Sequence, residues 1–388
     1  MLGQNPLYLD NAATSHPKPE GVYRALTEVS RQGGSAGRGR HHQGLAGDRI
    51  LFAARELLAE LFGVDASERF VFTFNATHAL NVALFGVLRA GDRVVTTSME
   101  HNAVTRPLHA LSQHGVEVVK VAADRVTGLV CQDDVKAACL AAPTRMLVMN
   151  HASNVNGTLQ NLEGLGPWCR QHGIVLLVDG SQTAGMVPVN LSDLHLDLFA
   201  APGHKGLLGP QGTGFLYIRD GLELEPLLYG GTGSHSSMDE QPRQLPERFE
   251  SGTQNLPGIA GLKAGLEFLR TEGIAAIGEK ETDLAGHLLS GLAAIDEVRV
   301  YGLPAGSSRT ATVSFNVANM DPSAVGFFLD QRQIAVRTGL HCSADSHRTI
   351  GTFPAGTVRV SPGYFTTNRD LDSFLSQLKK LVRSTAKS

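Results

Sequence analysis

DLFAAPGHKGLLGPQGTG, residues 197–214, runs a short apolar segment into a turn built from glycine and proline, with one histidine and one lysine between them. Leu196, Leu198, Phe199 and Ala200 read as a strand that passes through the core. The turn then presents His204 and Lys205 at the strand end, among neighbours small enough for a planar ligand to approach the backbone. A lysine held there can form a Schiff base with an aldehyde cofactor. Most loop lysines are merely solvated, so the rest of the chain has to decide between the two.

Outward from this stretch, short runs rich in β-branched residues recur: VFTF (71–74), RVVTT (93–97), EVVKV (117–121), MLVMN (146–150), IVLLVD (174–179), LDLFA (196–200) and TGFLYI (213–218). Most are continuous rather than alternating, which predicts strands covered on both faces. Helical patterns at 48–63, 77–91, 106–115 and 165–173 lie between them, and each ends at glycine. Alternating strand and helix predicts an α/β domain with a mostly parallel sheet. Residues 229–256 are polar and turn-rich, and a connection that long is usually functional or interfacial. After Pro257, one helix opens a smaller α+β region with strands at 311–317, 334–339 and 357–361 and helices near 322–332 and 368–384. The expected division is an N-terminal segment (1–20) packing near the site, a large domain (21–256), and a small domain (257–388) carrying Cys342 and Arg359.

The 388 residues are 42% hydrophobic and 18% charged, ordinary for a globular chain with a sizeable core. A net charge of −3 offers no field for nucleic acid or an acidic membrane. No run of 18 apolar residues occurs, and the N-terminus lacks a secretory pattern, so a cytoplasmic protein is expected. The four cysteines form no C-x-x-C pair, which argues against a zinc knuckle or redox pair. Cys139 and Cys169 sit in helical patterns as inert thiols. Cys342 lies in a polar loop between His341 and His347, where a thiolate is more accessible.

Asp179 ends the strand IVLLVD, where ligands of open α/β sheets bind; there it can face a cofactor or cap the next helix. With a Schiff-base lysine, it suggests pyridoxal phosphate, whose ring nitrogen a carboxylate keeps protonated. FNATHALN opens a helix at Ala76 and Thr77 suited to phosphate, with Ser181, His204 and Thr253 as further donors. His101, just past RVVTT, can stack on a ring and shuttle protons, and Arg359 can grip a carboxylate in bidentate fashion.

Nine motifs in order, YLDNAAT (8–14), FNATHALN (74–81), EHNAV (100–104), SNVNG (153–157), VDGSQTAG (178–185), GHKGLLGPQGTG (203–214), ERFESGTQN (247–255), RTGLHC (337–342) and VRVSPGYFTTNRDLD (358–372), resemble the class V, fold-type I pyridoxal-phosphate enzymes of the cysteine desulfurase and selenocysteine lyase group. The resemblance spans nearly the whole chain. It implies a large, mostly parallel seven-stranded sheet domain, a smaller α+β C-terminal domain, and a homodimer. By the same resemblance, Lys205 forms the imine, Asp179 pairs with the ring nitrogen, Gln182 bonds the ring oxygen and His101 stacks on the ring. Ala76, Thr77, Ser181 and His204 lie at the phosphate, and Thr253 reaches it from the partner subunit. Ala13, Asn154 and Arg359 belong to the substrate site, as does His41 across the dimer, and Cys342 takes sulfur from L-cysteine as a persulfide. A free thiol is a few per cent thiolate at neutral pH unless His101 or His341 lowers its pKa.

The chain departs from the pattern at Pro202 and Ala76, where hydroxyl residues are common, and in the loop SADSHRTIGTFPAGT after Cys342. Only 17 positions separate Cys342 from Arg359, as in short-loop desulfurases that serve a dedicated sulfur-acceptor protein. His347 receives no role from the resemblance. The alternatives are a selenocysteine lyase, an aminotransferase, racemase or β-lyase that does not use Cys342, a catalytically idle scaffold, and a zinc site at His341, Cys342, Asp345 and His347, whose spacing is poor for one.

Overall fold

A computed structural model describes residues 6–34, 36, 41–233 and 237–385. The N-terminal strand β1 (Leu7–Tyr8) precedes seven strands of one sheet: β2 (Phe70–Thr73), β3 (Arg93–Thr97), β4 (Glu117–Val121), β5 (Met146–Asn150), β6 (Val175–Asp179), β7 (Leu198–Pro202) and β8 (Gly214–Ile218). Their order is β2-β8-β7-β6-β5-β3-β4, parallel throughout except for β8, which runs antiparallel to both neighbours. All seven apolar runs of the sequence are strands, shifted by at most two residues at either end. The strands other than β4 are buried along their whole length, as continuous apolar runs require. At the edge, β4 exposes Glu117 and Lys120, charges that discourage pairing with another chain.

Alternate residues of these strands feed two apolar layers. One gathers Phe62, Phe70, Phe199, Phe215 and Tyr217 in ring contacts of 5.4–6.2 Å; the other gathers Val71, Val94, Met146, Leu177, Leu198 and Leu216. A third core lies under a four-stranded antiparallel sheet. It comprises β9 (Val298–Tyr301), β10 (Val313–Val317), β12 (Arg337–Gly339) and β13 (Thr357–Val360), with β11 (Ile334–Ala335) pairing in parallel with β1. The run IAVRTG, read as one strand, therefore divides between two sheets. The N-terminal segment joins the smaller region through β1.

The helix Leu256–Glu272, expected to open the small domain, buries Leu256, Ile259, Leu262, Leu266 and Leu269 in the large core instead. Gly265 lets it approach closely, since a Cβ there would stand 2.5 Å from the Leu207 carbonyl oxygen. This helix thus backs the turn that carries Lys205. On that packing we propose Gly273, not residue 257, as the division between the two regions. Among the described residues, no helix is long and apolar enough to cross a membrane.

Candidate active site

The carboxyl ends of β5, β6 and β7 lie side by side, with Asn150 paired to Asp179 and Asp179 to Ala200. Loops leaving these ends surround a cavity of about 220 Å³, lined by Ala12, Ala13, Ala76, Thr77, His101, Asn154, Asp179, Ser181, Gln182, His204, Lys205, Arg337 and Arg359, among others. The sequence assigned all of these to the site except Ala12 and Arg337. This is where an open α/β sheet presents ligands.

The Lys205 turn is fixed from several sides. The Lys205 carbonyl accepts from Ser15 Oγ (2.8 Å) and the Leu208 amide (2.9 Å), and the His204 carbonyl accepts from Lys18 Nζ and the Ser15 amide. Burial pulls the Lys205 ammonium down to about 8. The Asp179 charge opposes this fall, while Arg359 and Arg337 add to it. Asp179 itself accepts the Ser181 amide at 2.9 Å. Gly180 follows it because any Cβ there would strike the Phe199 ring at 2.0 Å.

His101 caps the helix Asn102–Ser112, its Nδ1 accepting the Ala103 amide at 3.0 Å. The ring proton therefore sits on Nε2. Burial, then the Lys205 charge, lowers this imidazole to about 4, so it is neutral at pH 7. His204 is lowered to about 4 as well, mainly by burial, and its Nδ1 is buried without a partner in the chain. Asn75 caps the helix Ala76–Val87 by accepting from the His78 amide, leaving the Ala76 and Thr77 amides at a helix start that faces the cavity. The Gln182 amide donates to the Ala12 carbonyl at 3.0 Å, which ties β6 to the N-terminal segment.

Arg359, only 1% exposed, donates to Asp10 Oδ1 (2.6 Å) and to the Asn154 carbonyl (2.9 Å), and its Nε is buried without a partner. The Asn154 side chain is engaged at both ends. Its Nδ2 donates to the His341 carbonyl (2.7 Å), and its Oδ1 accepts from Ser343 Oγ (2.8 Å). A residue expected to hold a substrate carboxylate is thus an anchor of the Cys342 loop in this structure. In that loop His341 and Cys342 take left-handed backbone angles, φ 49° and 60°, which non-glycine residues rarely adopt. Cys342 is exposed, and Arg337 Nη2 donates to its Sγ at 3.1 Å. His341 turns its ring inward to Thr357. Cys139 and Cys169 are buried and their thiols are raised, as inert thiols should be.

His41 and Thr253 are exposed and do not line this cavity. The His41 ring caps its own helix by accepting the Gly44 amide. No group of three or more His, Cys, Asp or Glu side chains among the described residues converges as metal ligands would.

The family model of class-V aminotransferases matches residues 7–374. The chain belongs to this family. A probable cysteine desulfurase of Methanothermobacter thermautotrophicus is 35% identical over 390 residues, covering 98% of this chain and 96% of that protein. The cysteine desulfurase IscS of Dictyoglomus turgidum is 30% identical, covering 97% and 94%. Among solved structures, the apo cysteine desulfurase of Thermococcus onnurineus superposes with a TM-score of 0.90 at 31% identity, covering 98% and 95%. The Escherichia coli desulfurase CsdA, solved as an S-sulfonic acid, gives 0.87 at 27%, covering 97% and 95%. The chain is a class-V enzyme of the cysteine desulfurase type.

Within that family frame, the sequence reading passed over Arg337, Asp10 and Glu100. All three stood in motifs already quoted, RTGLHC, YLDNAAT and EHNAV, and of the three Arg337 lines the cavity. Glu100 is fully buried, accepts from Thr97 Oγ1 (2.6 Å) and the Asn150 amide (3.0 Å), and is pushed up to about 8 by burial. It therefore carries its proton at neutral pH.

Proposed function

We propose that the cavity holds pyridoxal 5'-phosphate on Lys205, and that the chain takes sulfur from L-cysteine onto Cys342 as a persulfide and releases L-alanine. One observation carries the reading: a buried, low-pKa lysine shares a cavity with Asp179, Asn154 and Arg359, and Asn154 anchors the loop of Cys342, which lies near enough to act on the lysine's charge. The donor set fits the cofactor. The helix start at Ala76 and Thr77, Ser181, and the unpartnered Nδ1 of His204 suit a phosphate. Asp179 suits a ring nitrogen, and the Gln182 amide a ring oxygen.

Bound there, pyridoxal phosphate supplies an electron sink for the charge left when an amino acid loses its α-proton. Lys205, with an amine near pKa 8, is partly neutral at pH 7 and so can join an aldehyde. Once the substrate amine displaces it, Nζ is the base that takes the α-proton. His101 stays neutral and offers its Nε2 proton. Arg359, oriented by Asp10, meets the substrate carboxylate, with Ala13 beside it. Arg337 holds Cys342 in place by donating to Sγ, and the attack needs the thiolate form of that group. That thiolate attacks the substrate sulfur, so that a sulfur–sulfur bond forms and the carbon–sulfur bond breaks. The bonding pair stays with the substrate, which takes up a proton and leaves as alanine.

The active form is proposed to be a homodimer in which Thr253 and His41 reach the neighbour's site. Exposed Leu45 and Phe52 on the helix beside His41, and Tyr229 in the segment leading to Thr253, support a partner surface there. The persulfide then passes to a sulfur-acceptor protein, the step that an exposed Cys342 supports. The test supplies L-cysteine and a reductant to wild type, Lys205→Ala and Cys342→Ala, and measures sulfide and alanine. Equal sulfide from wild type and Cys342→Ala would overturn the persulfide step. Pyruvate instead of alanine would point to a β-lyase, and preference for selenocysteine independent of Cys342 to a selenocysteine lyase.

A further inference from the structure

Beneath Cys342 lie two buried imidazoles, His341 and His347, with ring centroids 5.4 Å apart. Their proton positions follow from the hydroxyls around them. Ser314 Oγ donates to the Val155 carbonyl at 2.6 Å, so its single proton is used. Thr357 Oγ1 must then donate to Ser314 Oγ, at 2.9 Å. With the Thr357 proton used in turn, His341 Nε2 must donate to Thr357 Oγ1, at 2.9 Å. His341 Nδ1 is therefore a bare acceptor, buried and without a partner in the chain.

His347 is the complement. Its Nδ1 meets Thr352 Oγ1 at 2.7 Å, while its Nε2 is buried and unpartnered. The Leu340 carbonyl lies beside this ring as an acceptor, and the His341 ring is 5.4 Å away between centroids. With Nδ1 engaged by Thr352, only a proton on Nε2 serves that carbonyl, so Thr352 donates to Nδ1 and Nε2–H faces the turn that precedes Cys342. Buried polar atoms in such settings find partners directly or through one bound water.

We propose that His347 is a positioning residue for Cys342, holding the Leu340–Cys342 turn through Nε2 and so keeping the thiol against Arg337. The left-handed angles at positions 341 and 342 need such a hold, because each is an uncommon conformation for its residue. This deepens the reading of Cys342 as the sulfur-accepting thiol and rests on it.

The test is the rate at which iodoacetamide alkylates Cys342 in the cofactor-loaded protein, relative to exposed Cys131 in the same molecule, followed by peptide mass spectrometry. Cys342 is already exposed, so loosening its loop gains little access and loses the Arg337 contact. His347→Ala should slow Cys342 relative to Cys131 by about three- to tenfold, the worth of one hydrogen bond. A glutamine amide reaches the Nε2 position and an asparagine amide the Nδ1 position, so His347→Gln should restore the ratio and His347→Asn should not. Rescue by Gln alone supports the proposal. An unchanged ratio in His347→Ala, or any pattern in which Asn restores or Gln fails, overturns it. If His347→Ala does not fold, the comparison of Gln with Asn decides alone. Because alkylation needs no turnover, failure of the desulfurase reading would show separately, as absence of Cys342-dependent sulfide.

Discussion

Lys205 lines the cavity and Cys342 lies near enough to act on its charge, yet the two stand on unlike pieces of backbone. The lysine turn follows a fully buried strand and is backed by the helix Leu256–Glu272 and tied to Ser15 and Lys18. The thiol loop has no strand of the large sheet beneath it. It takes left-handed angles at two successive non-glycine residues, and side chains distant in sequence pin it: Asn154, Thr357 by way of His341, and Asn102, whose amide donates to the Cys342 carbonyl at 2.8 Å. The group proposed to hold the cofactor is built into the rigid layer. The group proposed to accept sulfur sits on a loop pinned by polar contacts to distant residues.

The largest test of that contrast removes each group in turn. Lys205→Ala should lose both the absorbance near 420 nm expected of a cofactor–lysine bond and sulfide release, the latter by about 10³-fold or more. Cys342→Ala should keep the absorbance and lose only the sulfide. If Cys342→Ala also lost the absorbance, the two regions would be one unit.

The same contrast governs what could be read from the residues. The strands and the lysine turn were legible because their cause is local: continuous apolar runs alternating with helical patterns that end at glycine. The lining of the cavity followed, since Asp179, Ser181 and Gln182 directly trail β6 and His101 trails β3. The loop was legible only as a motif. Nothing near Cys342 announces that Arg337, five residues back, would reach its sulfur, because the contact depends on a bend at Gly339 (φ 96°) and two left-handed residues after it. Nor did Asn154 show its hold on the loop, since its partners are 187 and 189 residues away. The packing of the helix after Pro257 was hidden for a related reason, as its glycine-lined face finds the lysine turn only in three dimensions.

A smaller effect is expected from the loop's main anchor. Asn154→Ala strands the His341 carbonyl and Ser343 Oγ, both buried, at a cost of about 1–3 kcal/mol. Sulfide release should fall about tenfold with the cofactor absorbance intact, and thermal unfolding should shift downward. A loss of absorbance instead would mean that Asn154 serves the cofactor rather than the thiol.

The lysine turn has its own titration. Burial holds the Lys205 ammonium at about 8 against an ordinary 10.5, and the Asp179 charge partly offsets that fall. Only the neutral amine joins an aldehyde, so the rate of pyridoxal phosphate uptake by the apo-protein should rise with pH up to about 8 and then level off. Asp179→Asn removes the offset and should move that midpoint to lower pH. Linkage has the same sign: the unfolded chain keeps this proton up to 10.5, so Lys205 contributes stability that grows between pH 8 and 10.5. A midpoint that stayed near 10.5 would show a solvated amine and remove the basis for the lysine's chemistry.

The smallest effect asks whether the loop is held from inside or from outside. Asp345, in the short helix that follows Cys342, pairs with Lys120 on the edge strand β4 and with Arg348 on its own helix. These are partly exposed pairs, and such pairs contribute about 0.2–1 kcal/mol. Lys120→Ala should therefore change sulfide release by less than about twofold, and that small change should shrink further in high salt. Asn154, His341 and Ser343 are buried, where an abandoned hydrogen-bonding group costs more than a screened ion pair returns. A Lys120→Ala enzyme as impaired as Asn154→Ala would reverse that ranking. The thiol loop would then hang from the protein surface, and the buried polar contacts beneath it would be a consequence of its position instead of the cause.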